Sequence, residues 1–195
     1  MGELLLVRHG QTEWTRSHQH TGLTDVALTP YGEQQAQSLA PLLQSRTFAA
    51  VYSSPLQRAR RTVELAGLRA EVDDDLVEWD NGDYEGRTTA QIREDRAGWW
   101  LWTDGAPGGE DWEQVQVRCA RTVERVVPLL EQGDVALFGH GHSLRALAAV
   151  WVELPAWQGG IFEQDPASVS VLGWYRGHRV VKSWNDVTAH PPESA

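Results

Sequence analysis

The sequence predicts an α/β fold, a single domain built on a mostly parallel sheet with helices on both faces. Three observations carry that expectation. The chain has 195 residues, enough for one sizeable core and little more. Three continuous apolar runs, Leu4–Val7, Ala49–Tyr52 and Val135–Phe138, read as strands buried on both faces, the habit of parallel sheets. Helical periodicity separates these runs, and alternation of strand and helix implies crossover connections.

Leu4–Val7 stops abruptly at Arg8-His9-Gly10. Thr29 and Pro30 then open a helix, because a Thr hydroxyl accepts from a free first-turn N–H and Pro suits that turn. Leu39, Leu42 and Leu43 continue it at helical spacing. Ala49–Tyr52 ends at Ser53-Ser54-Pro55, and a second helix is expected from Pro55 toward Leu65, stopping near Gly67. Glu71–Asp73 reads as a short third strand and Arg87–Ala97 as a helix, and the Gly- and Pro-broken stretch Thr103–Gly109 as a loop. A long helix from Glu110 to about Glu131 places Val115, Val123, Val126, Val127 and Leu130 on one face, with Pro128 bending its end. Val135–Phe138 again runs into Gly and His and leads to a helix from Ser143 to Val152. Ser168–Trp174 and Arg179–Trp184 are the last strands, on either side of Arg176-Gly177. One domain therefore spans 1–187, and the polar stretch 188–195, with two prolines, is expected to be disordered.

Composition narrows the partners. Lys and Arg number 17 against 27 Asp and Glu, a net charge of −10. That field repels nucleic acid and anionic membrane surfaces, so neither is an expected partner, and any anion site must be a local cluster of Arg and His. Cys119 is the single cysteine, so no intrachain disulfide forms. Only a short apolar run follows Gly2-Glu3, without the pattern of a signal peptide, and no run reaches the ~18 apolar residues of a membrane span, so a cytoplasmic location is expected.

In parallel sheets ligands sit beyond the carboxyl ends of the strands, and the polar residues Arg8-His9, Ser53-Ser54 and His140 all fall there. A neutral imidazole at His9 has one nitrogen lone pair and acts as a nucleophile when its other nitrogen is held as a donor. Arg8 supplies planar donors that match phosphate, and the Gly10 turn exposes backbone N–H groups. After Ser53-Ser54 a helix N-terminus at Pro55 favours an anion, with Arg58 in its first turn, while Arg60 and Arg61 read as solvated surface. Glu78, shielded by Trp79, is a candidate to keep a proton near neutral pH and donate it to a leaving oxygen, although six neighbouring acids compete for that assignment. A protonated His140 beside bound phosphate would neutralise charge on the equatorial oxygens.

The segments RHGQT, SSPLQRA, LVEWDNGDYEG and GHGHSLR, in this order over about residues 4–150, resemble the histidine phosphatase superfamily, which also contains the cofactor-dependent phosphoglycerate mutases. HTGLTDVALTPYGE, EWDNGDYEG and PGGED are most similar to the acid phosphatase and sedoheptulose-bisphosphatase branch. The resemblance implies a phosphoglycerate mutase-like fold and a phosphohistidine on His9. It implies a phosphate pocket of Arg8, Arg58 and His140, and Glu78 as proton donor and acceptor. It places Gln11, Thr15, Thr21, Gly22, Gly141 and His142 at substrate-contacting positions. Thr15 stands where many members have Asn, and His142 where mutases have Asn, implying a different substrate group. No metal or other cofactor is implied, the partner is a small phosphorylated substrate, and a homodimer is left open.

The expected activity is thus hydrolysis of a phosphomonoester. A mutase is the nearest alternative. Mutases carry paired basic residues before the long helix, whereas Gly86–Gly108 offers only Arg87, Arg93 and Arg96, with Trp99, Trp100 and Trp102 as a lid, core or dimer surface. A serine hydrolase elbow at Ser143 is disfavoured by Arg145, where a small residue is needed. His18/His20 and His140/His142 lack the supporting carboxylate–histidine pattern of a metal site. An inactive sugar-phosphate-binding regulator is disfavoured by the intact Arg8, His9, Arg58, Glu78 and His140.

Overall fold

The structure is a computed structural model that describes residues 1–190. Six strands form one sheet: β1 (Leu4–Arg8), β2 (Phe48–Ser53), β3 (Glu71–Val72), β4 (Asp134–Gly139), β5 (Val169–Tyr175) and β6 (His178–Asp186), in the order β3-β2-β4-β1-β5-β6. β3, β2, β4 and β1 pair in parallel, while β5 runs antiparallel to both β1 and β6. The helices are α1 (Glu13–Arg16), α2 (Pro30–Ser38), α3 (Ala40–Gln44), α4 (Gln57–Leu65), α5 (Thr89–Asp95), α6 (Leu101–Asp104), α7 (Trp112–Val126) and α8 (Gly141–Trp151). The mostly parallel α/β sheet expected from the sequence is the one observed.

The continuous apolar runs are explained by their place at the sheet centre. Leu4 and Leu6 of β1, with Val135 and Leu137 of β4, face a core that includes α7, α8 and Trp79, Trp99 and Trp102. Leu5 and Val7, with Ala136 and Phe138, face a second core that includes Leu39, Leu43 and Val63, on the side of α3 and α4. Register then builds the rim. Arg8 lies opposite Gly139, and the His9 N–H donates to the Gly139 carbonyl at 3.0 Å. Ser53 lies opposite Phe138, whose carbonyl accepts from the Ser54 N–H at 2.9 Å. Three chain segments thus leave the sheet side by side.

Local chemistry moved several boundaries. The helix expected through Leu43 breaks at Leu39, because Pro41 has no N–H to continue the ladder. The second helix starts at Gln57 rather than Pro55, since Ser54 Oγ takes the Leu56 N–H. Capping boxes begin α5 at Thr88 and α7 at Asp111, inside the expected spans. α7 passes into a 3-10 turn, Val127–Glu131, at Pro128. Two short helices were not anticipated: α1, closed by a Thr12/Thr15 capping box, and α6, which occupies the start of the expected 103–109 loop. Of the stretch expected to be disordered, Thr188–His190 form a turn in which the His190 ring meets the Ala167 carbonyl at 3.2 Å. Residues 191–195 lie outside those described. Among the described residues no helix is long and apolar enough to cross a membrane.

The loop after β1 is pressed directly onto α2. A Cβ on Gly32 would overlap the Gln11 carbonyl, and one on Gly10 would overlap the Gly32 carbonyl. Both neighbours are backbone and cannot swing aside. Gly32→Ala is therefore expected to lower unfolding free energy by about 1–3 kcal/mol, the usual cost of overpacking, measured by urea denaturation; an unchanged midpoint would show that the two segments separate freely.

Candidate active site

His9 sits at the end of β1, 3% exposed, with Nδ1 at 2.7 Å from the Gly10 carbonyl oxygen. A carbonyl only accepts, so Nδ1 carries the hydrogen and Nε2 keeps its lone pair. Burial, and then the charges of Arg58 and Arg8, hold the His9 pKa well below the ordinary histidine value. The ring is neutral, with its tautomer fixed. Arg8 extends beside it: one Nη donates to the Gln164 carbonyl, and the buried Nε has no hydrogen-bond partner. Gly141 permits this packing, since a Cβ there would stand 3.2 Å from the Arg8 Cζ.

Arg58, fully buried, donates through Nε to His140 Nδ1 at 3.0 Å and through its Nη atoms to the carbonyls of Thr24 (2.9 Å) and Gly22 (2.8 Å). Nδ1 of His140 must therefore carry the lone pair, and its Nε2–H donates to Ser54 Oγ at 2.8 Å. The two imidazole centroids, of His9 and His140, are 5.2 Å apart. Burial, Arg58 and His9 all lower the His140 pKa. In the ligand-free protein the ring is therefore neutral and relays the order of Arg58 to the rim, whereas the protonated His140 expected from the sequence belongs to the phosphate-bound site. The helix N-terminus after Ser54 is also filled, because Asp25 Oδ1 accepts the Gln57 N–H at 2.8 Å. A protein carboxylate thus stands where a ligand anion was expected.

Glu78 is buried and accepts three backbone N–H bonds, from Trp79 and Ser143 at 2.8 Å on Oε1 and from His142 at 3.0 Å on Oε2. His142 Nδ1 lies 3.5 Å from Oε2. Burial pushes the carboxyl pKa up, but the His142 side chain and the backbone N–H bonds outweigh it and hold it well below the usual value. The expectation that Trp79 keeps Glu78 protonated is therefore corrected: the free protein holds a carboxylate at the N-terminus of α8. Arg118 braces the approach, bonding the Asp75 and Val77 carbonyls at 3.0 and 2.9 Å while its charge is met by Glu110.

These groups open into a cleft of about 210 Å³. Arg8, His9, Thr15, Thr21, Glu78, Gly141 and His142 line it, and Arg58 and His140 back it. Two expected substrate contacts are elsewhere. Gln11 turns its side chain to the Thr29 hydroxyl and lines a separate groove. Gly22 is buried behind the site, its carbonyl on Arg58 and its N–H on Glu85. Thr15 reaches the cleft, but its hydroxyl bonds the Thr12 backbone. Of the three tryptophans, Trp99 and Trp102 are core, Trp100 is exposed and does not line the cleft, and Trp102 stands 5.7 Å from the His142 ring as a fixed wall. Sequence reasoning missed Trp14, His18, Gln19, His20, Thr89 and Arg145 as cleft residues. The HTGLTD segment was the available signal for His20; nothing local marked the others.

Neutral buried histidines make stability depend on pH. Below the ordinary histidine value of 6.5 the unfolded chain binds protons that folded His9 and His140 refuse, so stability falls as pH drops. Each such group contributes a slope approaching about 1.4 kcal/mol per pH unit until its folded pKa is reached. From about pH 6 to about 5, wild type is expected to lose stability in urea titrations more steeply than His9→Gln by about 1 kcal/mol per pH unit. Parallel slopes would show that the folded ring titrates normally.

The sequence profile of the histidine phosphatase superfamily (branch 1) matches residues 4–187. An acid phosphatase of Mycobacterium tuberculosis is 40% identical over 191 residues, 96% of this chain and 94% of that protein. The sedoheptulose 1,7-bisphosphatase of Saccharomyces cerevisiae is 39% identical over 182 residues, 77% of this chain and 67% of that one. A solved structure of a Mycobacterium tuberculosis open reading frame superposes with a TM-score of 0.91 at 39% identity, covering 94% of this chain and 97% of its own. By profile, identity and fold alike, the chain belongs to branch 1 of the histidine phosphatase superfamily.

Proposed function

We propose that this histidine phosphatase hydrolyses a small phosphorylated metabolite by passing its phosphoryl group through His9 to water. The observation that carries the reading is the fixed tautomer of His9: a lone pair on Nε2, in a ring kept neutral beside two arginines. The substrate phosphate takes up the unpartnered donor capacity of Arg8, with the Arg58 charge behind it. His9 Nε2 attacks phosphorus, and the bond to the leaving oxygen breaks. The Gly10 carbonyl, bonded to Nδ1–H, stabilises the positive charge that develops on the ring.

The leaving oxygen needs a proton, and Glu78 is held ionised before substrate arrives. A bound phosphate dianion raises the proton affinity of that carboxylate. His142, half-buried and 3.5 Å away, is placed to hand it a proton from the open side of the cleft. Glu78 then donates to the leaving alkoxide. In the second step it accepts a proton from the water that attacks the phosphohistidine, and inorganic phosphate departs.

Hydrolysis is favoured over mutase chemistry by where the basic residues of 86–108 go. Arg87 pairs with Asp95, Arg96 with Asp104, and Arg93 bonds the Trp99 carbonyl. None lines the cleft to hold a phosphorylated intermediate while it reorients. The inactive-regulator reading is opposed by the set of His9, Arg8, Arg58, His140 and Glu78 gathered at one cleft.

His9→Ala is expected to lower kcat on p-nitrophenyl phosphate by about a thousandfold or more. Rapid acid-free quenching of wild type with labelled substrate is expected to trap phosphorus on His9; turnover without any trapped label sinks the covalent route. Glu78→Gln is expected to slow an alkyl phosphate by about a hundredfold or more, and p-nitrophenyl phosphate, whose leaving group needs no proton, distinctly less. Equal slowing of both removes Glu78 from the donor role.

A further inference from the structure

A single loop, 162–168, holds both Arg8 and His9. The Gln164 carbonyl accepts from an Arg8 Nη, and the Ser168 carbonyl accepts the Arg8 backbone N–H at 3.2 Å. The Ala167 N–H donates to the His9 carbonyl at 2.9 Å. Burial lowers the Arg8 pKa, and the charges of Glu78 and then Asp165 act against it, so the loop also places a carboxylate within electrostatic reach of that guanidinium. The loop has little rooting of its own. Asp165 is exposed, and Pro166 has no N–H to bond. Ala167, fully buried, is held at φ 54°, a left-handed conformation that its methyl group opposes. Backbone of that kind persists only where surrounding contacts over-determine it.

Those contacts come from the last residues of β6 and the turn after it. Asn185 accepts the Asp165 N–H on Oδ1 at 2.7 Å and donates from Nδ2 to Asp165 Oδ2 at 2.8 Å, a two-bond clamp. The Trp184 indole N–H donates to the Glu163 carbonyl, and His190 Nε2 meets the Ala167 carbonyl at 3.2 Å. Asn185 is itself at φ 56°, and its N–H is fixed on Ser170 Oγ at 3.0 Å. Asn enters that region more readily than most residues. Its carboxamide presents an acceptor and a donor side by side, matching the N–H and carboxylate of one Asp. Neither Asn185 nor any residue of the loop lines the cleft.

We propose that Asn185 is a positioning residue: through Asp165 it locks loop 162–168, and thereby fixes the Arg8 guanidinium and the His9 backbone relative to one another for phosphoryl transfer. This rests on the hydrolase reading above and adds to it a residue that sets the geometry without touching substrate. Glu78 hangs instead from the amides of residues 142 and 143 on α8, so its proton transfer is independent of the clamp.

Asn185→Gly keeps the left-handed backbone and deletes the carboxamide. It is expected to lower kcat on p-nitrophenyl phosphate by about tenfold or more, because small displacements of reacting groups are costly. Inhibition by inorganic phosphate is expected to weaken by about threefold or more as Arg8 loses its fixed place. The ratio of alkyl to p-nitrophenyl phosphate turnover is expected to match wild type, unlike that of Glu78→Gln. Exchanging the pair, Asp165→Asn with Asn185→Asp, restores both bonds with one donor and acceptor reversed, and is expected to recover most of the lost kcat. Asn185→Asp alone opposes two carboxylates and is expected to stay slow. Wild-type kcat in Asn185→Gly overturns the proposal, even with a lowered urea midpoint, which would assign the clamp to stability only. An exchanged pair no faster than Asn185→Asp, or unfolded, overturns it as well, and decides the matter if the Gly variant does not fold. Wild-type turnover without trapped phosphohistidine sinks the covalent route itself, a result distinguishable from all of these.

Discussion

A guanidinium buried with no carboxylate ion pair among the described residues is the constraint around which this rim is built. Arg58 leaves water entirely, and three of its donors go to His140 and to the carbonyls of Gly22 and Thr24. Those three bonds tie α4, the loop after α1 and the end of β4 into one unit. They also fix the His140 tautomer, which in turn anchors Ser54. The cost of burying the charge is offset in part by these bonds and by attraction to Glu78. A net charge of −10 overall and a positive pocket are thus compatible, because the pocket charge is local and shielded from bulk solvent.

Both helix N-termini at this edge carry protein carboxylates, Asp25 on α4 and Glu78 on α8. Helix ends of that kind commonly receive a ligand phosphate. Here they serve instead to hold the loop before α4 and to keep Glu78 ionised. On the proposed reading, anion recognition passes to arginine side chains, and the carboxylate is left poised as a base whose proton arrives with the substrate. A site wired in this way separates binding from proton transfer, since different groups set each.

Much of this was legible in the sequence, for identifiable reasons. Arg8, His9, Ser54 and His140 were readable because each follows a buried apolar run, and parallel strands in register deliver their ends to one edge. The ionisation of Glu78 was not, since it depends on amides of residues 142 and 143, which lie 64 and 65 positions along the chain. Gln11 and Gly22 stand in segments that read as ligand-contacting, yet one braces the α2 cap and the other backs Arg58. Arg145 looked only like an obstacle to a serine elbow. Its place in the cleft depends on a wall made by Trp102 and Gly159–Gly160, which no local pattern announces.

The backbone contact between Gly10 and Gly32 reaches beyond stability. It wedges the turn that follows His9 against a helix that does not line the cleft, so the aim of that ring is set from outside the pocket. Misplacing a reacting group by about 1 Å can cost roughly a hundredfold in rate. Specificity and reactivity in this enzyme are therefore separable by design: the cleft walls can be altered to admit new substrates while the aim of the imidazole is kept by residues on the other side of the sheet.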